Sequence, residues 1–355
     1  MRVEPVQTPQ SRLRRFFAGK RVLVTGAAGS VGGALCAELA RVGCAHLGML
    51  DQFDHGLLEI TEKVRRLSPD LSISEALCDI RDRARLDIWM ARIRPDIVLH
   101  AAALKHVHMG ERHPGECVLT NLVGTRNVLA AAANAGAEDF VLVSSDKAAA
   151  PVCVMGATKR LAELFLLGFH RERAGGIRLR SVRFGNVLGS QGSVAPRFAA
   201  QIAAGGPLEV THPEMQRFFM SSDEAVGLVL GVAALDDPSA GKASVYFMEM
   251  GEPISIVAFG RELIAQSGKP IDVVYTGLRA GEKLKEQLSD EYETVAPCGL
   301  DNVFRVTPYS ADAYVSSADV AQLETMARTM EDALVRRRVF DFLDARLGRA
   351  EPAVG

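Results

Sequence analysis

The sequence predicts an α/β protein, a doubly wound parallel sheet with a smaller mixed C-terminal lobe. Three observations lead there. Apolar runs of strand length alternate with longer helical patterns at Arg21–Thr25, His46–Leu50, 71–77, Asp96–Leu99, Phe140–Val143 and Leu179–Arg183. Such alternation with short connections builds right-handed crossovers and a parallel sheet. The first run leads straight into glycines spaced three apart, Gly26, Gly29 and Gly32. From about residue 185 the rhythm changes to Gly- and Pro-rich short strands with helices between them.

Composition agrees with an ordinary soluble globular chain. Of 355 residues 48% are hydrophobic and 24% charged, enough apolar surface for a large core and either two domains or one domain with a second lobe. The formal charge of -2 gives no reason to expect a nucleic-acid partner. Six cysteines form no CxxC pair and no metal-like spacing with histidine, so they read as reduced core thiols of a cytosolic protein with no metal site. No signal peptide and no bilayer-spanning apolar run is visible.

In order, residues 1–20 are a polar N-terminal extension with a basic-aromatic patch at Arg12, Arg14, Arg15, Phe16 and Phe17. It reads as a segment capping the domain, or as a junction to a membrane anchor or partner missing on the N-terminal side. A Rossmann unit for a dinucleotide is expected over 21–184. Gly26, Gly29 and Gly32 allow a tight turn, close backbone approach to a pyrophosphate and close helix–strand packing, and Ser30 and Val31 open the helix whose N-terminus meets the anion. The second strand ends in Asp51, roughly 20 residues on, placed to accept from an adenosine ribose and to repel a 2'-phosphate. Gln52, Phe53 and Asp54 add no arginine, so the cofactor expected is NAD. Helices are expected near 56–67 and 83–93, and Asp79 and Ile80 fall where the adenine edge would lie. The fourth strand ends in Ala101, Ala102 and Ala103, small enough for a flat cofactor to lie on backbone, with Lys105 and His106 following toward a substrate. A long helix from about Cys117 to Ala135 carries Asn121 on its early turns.

The fifth strand delivers Ser145, Asp146 and Lys147 to the carboxyl edge of the sheet, where open α/β sheets bind ligands. A helix over 156–172 then carries Lys159 near its start. The substrate lobe is expected over 185–221 and 251–348, with the chain returning to the sheet at about 222–250 and two helices over 318–348 closing the lobe. Arg217 and Arg279, from separate loops, suit a diphosphate through paired hydrogen bonds.

The motifs VTGAAGSVG, HAAALKHV, SSDKAAAPVCVMGATKR, VRFGNVLGSQGSV, THPEMQRFFM and LRAGEKLKE, in this order, resemble those of the bacterial polysaccharide-biosynthesis nucleotide-sugar 4,6-dehydratases, extended short-chain dehydrogenases acting on UDP-N-acetylglucosamine. The resemblance covers roughly 18–290. It implies a tightly held NAD(P), a UDP-sugar substrate, and loss of water to a 4-keto-6-deoxy sugar for surface glycans such as O-antigen. It also implies a substrate-binding set: Lys105, His106, Ser193, Asn186 with Arg217 and Arg279 at the diphosphate, Thr211 near the uridine, and Glu282 at the ribose or ordering its loop. Cofactor contacts implied include Asn121 and Lys159. Enzymes of this fold often pair through the helices at 112–136 and 156–172, so a homo-oligomer, dimer or higher, is expected. The location implied is cytoplasmic, or the cytoplasmic face of the inner membrane for a branch with a transmembrane region ahead of the catalytic part.

Most short-chain dehydrogenases carry Tyr-x-x-x-Lys; here the spacing holds Met155 and Lys159, and a methionine takes no proton. The same branch also carries methionine at this point. The expected mechanism has Lys147, its pKa lowered by burial, remove the C5 proton. Asp146 protonates the departing C6 hydroxyl, Ser145 binds the C4 oxygen and Lys159 holds the nicotinamide ribose. The acceptor of the C4 hydroxyl proton stays open between Asp146 and a water. Ala150, Val152, Cys153 and Gln191 depart from the family's polar pattern, so substrate identity and C5 stereochemistry are the least determined features. Two other readings are a UDP-sugar 4-epimerase, which needs no acid–base pair for elimination, and an inactive NAD-binding regulatory protein that has lost its tyrosine.

Overall fold

The computed structural model describes residues 9–173, 176–237, 243–291, 293–308, 310 and 312–349. Residues 1–8 of the N-terminal extension and 238–242 of the returning segment lie outside this set. The extension enters as α1 (Gln10–Phe17), which buries Leu13 and Phe17.

The doubly wound half follows as β1 (Arg21–Thr25), α2 (Ser30–Val42), β2 (His46–Asp51), α3 (Asp54–Leu67), β3 (Ser72–Leu77), α4 (Arg83–Ile93) and β4 (Ile97–His100). Short helices α5 (Val107–Arg112) and α6 (Pro114–Cys117) lead through a π-helical turn, Val118–Val123, into α7 (Gly124–Asn134). Then come β5 (Asp139–Val143), a 3-10 turn at Asp146–Ala148, α8 (Val154–Glu172) and β6 (Arg178–Arg183). β1, β2, β4, β5 and β6 are almost wholly buried, as expected of parallel strands covered on both faces.

The lobe supplies β7 (Asn186–Val187), α9 (Val194–Ala203), β8 (Leu208–Val210), β9 (Gln216–Arg217) and β10 (Phe219–Met220). The chain returns to the sheet as α10 (Ser222–Ala233) and β11 (Ala243–Met248), then adds β12 (Ile254–Ser255), α11 (Ile256–Ser267) and β13 (Val273–Tyr275). A small core of Phe198, Ile202, Leu208, Val210, Met215, Ile256 and Val257 holds this lobe together.

The tail differs from expectation. β14 (Glu293–Pro297) and β15 (Val303–Pro308) join the main sheet antiparallel, giving nine strands in the order β14-β15-β11-β6-β5-β4-β1-β2-β3. The helices α12 (Ser317–Thr329) and α13 (Asp332–Leu347) do not close the lobe. Val320, Leu323, Val335, Val339 and Leu343 share a core with Leu161, Leu164 and Phe165 of α8. The contact is close: a Cβ on Gly168 would stand 1.9 Å from the Val315 carbonyl. One face of α8, a helix expected to pair two copies, is thus covered by the chain's own tail. The reason is apolar patterning, since α8 buries every residue from Val154 to Leu166 and needs a cover on its outer side as well.

The strand order reverses between β1 and β4, and the cleft opens at their carboxyl ends, the switch point of a doubly wound sheet.

Candidate active site

The glycine loop forms the floor of the cleft. Gly26 has φ +70°, and a Cβ there would sit 2.6 Å from the Ala102 nitrogen. A Cβ on Gly32 would meet the Gly26 carbonyl at 2.0 Å, so the turn accepts only glycine at both points. Asp51 braces it, with Oδ2 accepting from Ala28 N at 2.9 Å and Oδ1 from Phe53 N at 3.0 Å. Gly26, Gly29, Asp51, Asp79, Ile80, Ala101, Ala102 and Ala103 line one arm of about 230 Å³. Open glycines, an acidic residue closing β2 and small residues after β4 fit an adenosine dinucleotide without a 2'-phosphate.

Two of the residues expected here have partners within the protein. Asp79 lines the arm, and its Oδ2 accepts from two guanidinium nitrogens of Arg81 at 2.6 Å and 2.8 Å. Asn121 does not line the cleft. It is fully buried in the π-helical turn, accepting from Leu104 N at 2.8 Å and donating to Leu104 O at 3.0 Å and Thr158 Oγ1 at 3.1 Å. It clamps the segment after β4 to α8.

The second arm, about 580 Å³, shares the glycine loop and runs toward the lobe. It brings together Ser30, Val31, Lys105, His106, Ser145, Lys147, Met155, Lys159, Asn186, Ser193, Arg217, Arg279 and Glu282. Gln191 N donates to Ser30 Oγ at 3.1 Å, tying the loop after β7 to the start of α2. Arg217 spends one nitrogen on the carbonyls of Gln216 and Leu284, at 2.7 Å and 3.2 Å, and Glu282 Oε2 accepts from Arg279 N at 3.1 Å, ordering that loop. Thr211 falls outside this arm, in an adjoining pocket of about 180 Å³ with Asn186, Ser193, Arg217 and Glu282.

The reactive centre departs from expectation in its charges. Asp146 is fully buried behind Lys147; its Oδ1 accepts from Ser145 Oγ at 2.9 Å and from Lys147 Nζ at 3.0 Å, while among the described residues Oδ2 accepts no hydrogen bond. It is not in the cleft wall. A carboxylate unnoticed in the sequence, Glu286, does line the cleft, with Oε1 3.7 Å from Lys147 Nζ and Oε2 3.7 Å from Lys283 Nζ. Burial alone would lower the Lys147 pKa, but Asp146 and Glu286 outweigh it and raise it above the usual lysine value. The lysine made less basic by burial is Lys159, lowered to about 8 against the pull of Glu163. Met155 lines the cleft one turn before Lys159.

Behind the centre lies a closed group of charges that sequence reading also missed. Ser144 Oγ donates to Glu163 Oε1 at 2.6 Å. Arg183 binds Glu163 at 2.6 Å and Glu293 at 2.7 Å, and Arg160 pairs with both carboxylates. All four side chains are buried. Cys153, one of six free buried cysteines, accepts from Gly156 N at 3.3 Å at the N-terminus of α8.

His100, at the end of β4, is buried between Thr25 Oγ1 at 2.6 Å and Thr125 Oγ1 at 3.0 Å. Thr125 donates to Asn121 O, so it accepts from His100 Nε2–H and Nδ1 accepts from Thr25. Burial, helped by Lys159, pushes the imidazole down to about 3. The unfolded ring takes its proton near 6.5, so the unfolded state binds more protons between about 3 and 6.5 and stability falls as pH drops through that window. Urea unfolding should show a loss of about 2 kcal/mol from this group between pH 6.5 and 5. His100→Gln should remove that part of the pH dependence; an unchanged slope would refute the assignment.

The fold and the cleft define a class: a Rossmann protein built like nucleotide-sugar epimerases and dehydratases. Among solved structures, Pen from Bacillus thuringiensis superposes with a TM-score of 0.75 at 28% identity over 92% of this chain and 98% of that one. The family model described as polysaccharide biosynthesis protein matches residues 22–308, and the chain belongs to that family. The probable polysaccharide biosynthesis protein EpsC of Bacillus subtilis (strain 168) is 40% identical over 297 residues, 82% of this chain and 49% of EpsC, so the chain spans about half the length of that relative. A UDP-glucose 4-epimerase of Rickettsia rickettsii (strain Sheila Smith) is 31% identical over 82% of this chain and 84% of its own length. No helix among the described residues is long and apolar enough to cross a membrane.

Proposed function

We propose that the chain is an NAD-dependent 4,6-dehydratase of UDP-N-acetylglucosamine, making a UDP-4-keto-6-deoxy-N-acetylhexosamine for a surface polysaccharide. The observation that carries this reading is Lys147, an ammonium held by two carboxylates in the same cleft as the glycine loop. A 4-epimerase moves only the C4 hydride and proton, and leaves such a proton-bearing cluster without work. Elimination needs it: protons leave O4 and C5, and protons return to the departing O6 and to C5.

NAD, which Gly26, Gly29 and Asp51 would hold, would supply the hydride acceptance at C4 and the hydride donation at C6. The protein's own groups do the rest. Lys147 exchanges protons with C5 and O6 from the cleft wall. Asp146 holds the ammonium from behind. Lys147 passes one Nζ proton to Asp146 Oδ1 across the 3.0 Å hydrogen bond as it takes the C5 proton, and recovers it after protonating O6. Asp146 thus acts through the lysine instead of reaching the sugar. Ser145 binds the C4 oxygen while its own proton is directed at Asp146. Lys159, with a pKa near 8, lies partly in its amine form at neutral pH beside inert Met155, which makes it a third candidate for the C4 hydroxyl proton. Asn186, Arg217 and Arg279 bind the diphosphate, and the adjoining pocket at Thr211 takes the uridine. Similarity to the Rickettsia epimerase supports the second reading, C4 epimerisation.

The test is incubation of the purified protein with UDP-N-acetylglucosamine in deuterated water, followed by mass spectrometry and NMR. Loss of one water with deuterium at C5 is expected. Conversion to UDP-N-acetylgalactosamine without C5 exchange would establish the epimerase instead.

A further inference from the structure

We infer that Glu286 is a positioning residue for Lys147: its carboxylate holds the ammonium from the lobe side and sets the pH range in which that lysine exchanges protons in the cleft. The use of this control in turnover rests on the dehydratase reading; the control itself does not.

Glu286 lies in the segment joining β13 to β14, far in sequence from the catalytic turn, yet its side chain is only 4% exposed and lines the cleft. Its Oε1 and Oε2 stand 3.7 Å from Lys147 Nζ and from Lys283 Nζ, ion pairs too long to be hydrogen bonds. Among the described residues its buried Oε2 accepts no hydrogen bond. A buried carboxylate so poorly satisfied is costly and does not serve stability well. Asp146, by contrast, binds Lys147 at 3.0 Å from the neighbouring position in the chain.

Lys283 fastens the Glu286 segment to the catalytic loop by donating to Ala149 O at 3.0 Å. The loop is constrained there, because Ala150 is held at φ +42°. Lys147 is therefore gripped from both sides of the cleft. The charged and titratable groups facing it are Asp146 from its own turn, Glu286 and Lys283 from the lobe segment, Arg217 from β9 and the Cys153 thiol at the start of α8. Arg217 and Lys283 oppose the carboxylates, so Glu286 is one of two negative charges that keep Lys147 in its ammonium form.

The test is competitive labelling of Lys147 with acetic anhydride across a pH series, read by peptide mass spectrometry on wild type, E286Q and E286D. E286Q should lower the Lys147 midpoint by roughly one to three units. E286D, which keeps the charge, should stay near wild type. In an active wild type, the turnover pH profile of E286Q should move the same way, whereas a purely structural role would lower kcat or raise KM at every pH without moving the profile. Should E286Q not fold, K283M supplies the opposite sign: freed from the competing ammonium, Glu286 should raise the Lys147 midpoint. Midpoints unchanged in the variants that fold would overturn the inference. Labelling needs no sugar, so a wild type inert to UDP-N-acetylglucosamine would overturn the proposed function and leave this result readable.

Discussion

Lys147→Arg should lower turnover about a thousandfold, within the usual range for loss of a proton-transfer group, while the ion pairs around it survive. Arginine keeps the positive charge that Asp146 and Glu286 hold, but it does not give up its proton at any working pH. The contrast matters because Lys147 is raised rather than lowered in pKa, so a sceptic can assign it a purely electrostatic part. Arginine would then restore activity. Bound NAD, measured by absorbance after denaturation, should stay at the wild-type level, because Asp51 braces the glycine loop while Lys147 is held by Asp146 and Glu286. Retained turnover in the arginine variant would remove Lys147 from proton transfer.

Arg183→Met should destabilise the fold by about 3–5 kcal/mol, as expected when one partner of a buried ion pair is removed. The guanidinium makes two-pronged contacts with both Glu163 and Glu293, and no water can replace them in a site with none of these side chains exposed. Only Arg160 would remain between the two carboxylates. Burial opposes the ionised form of Glu293, but Arg183 and Arg160 prevail and hold it down at about 2. Its contribution is therefore present above about 4.5 and lost as pH falls toward 2, and the variant should lose part of that acid sensitivity. Urea midpoints at pH 7 and pH 4 measure both effects. A loss below 1 kcal/mol at pH 7 would show that the group relaxes or hydrates.

Much of the nucleotide-binding half was legible because its signals are local. Parallel strands buried on both faces are continuous apolar runs, and the glycine loop is a backbone requirement written in three residues. Ser145, Lys147, Met155 and Lys159 reach one cleft because a single strand–turn–helix unit carries them. What escaped reading is what depends on distant chain. The charge on Lys147 is held by Glu286 as well as by Asp146, and nothing in LRAGEKLKE marks that glutamate as buried. Asn121 is a cofactor contact by resemblance only; its sequence position early in a long helix does not show that a π-helical turn directs its amide to Leu104. The tail was given to the lobe because amphipathic helices carry no address; only the unusually apolar surface of α8 hinted at a cover.

The buried charge group also has a consequence for the order in which the protein can be made. Arg160, Glu163 and Arg183 carry one excess positive charge, and Glu293 cancels it. A ribosome delivers the first three long before the fourth. Until β14 emerges and pairs with β15 at the sheet edge, the interior behind Ser144 holds an uncompensated arginine and cannot close dry. Domains generally fold from the N-terminus as they are synthesised. Here the front half, although it contains the glycine loop and the catalytic turn, must wait for the tail before it can settle.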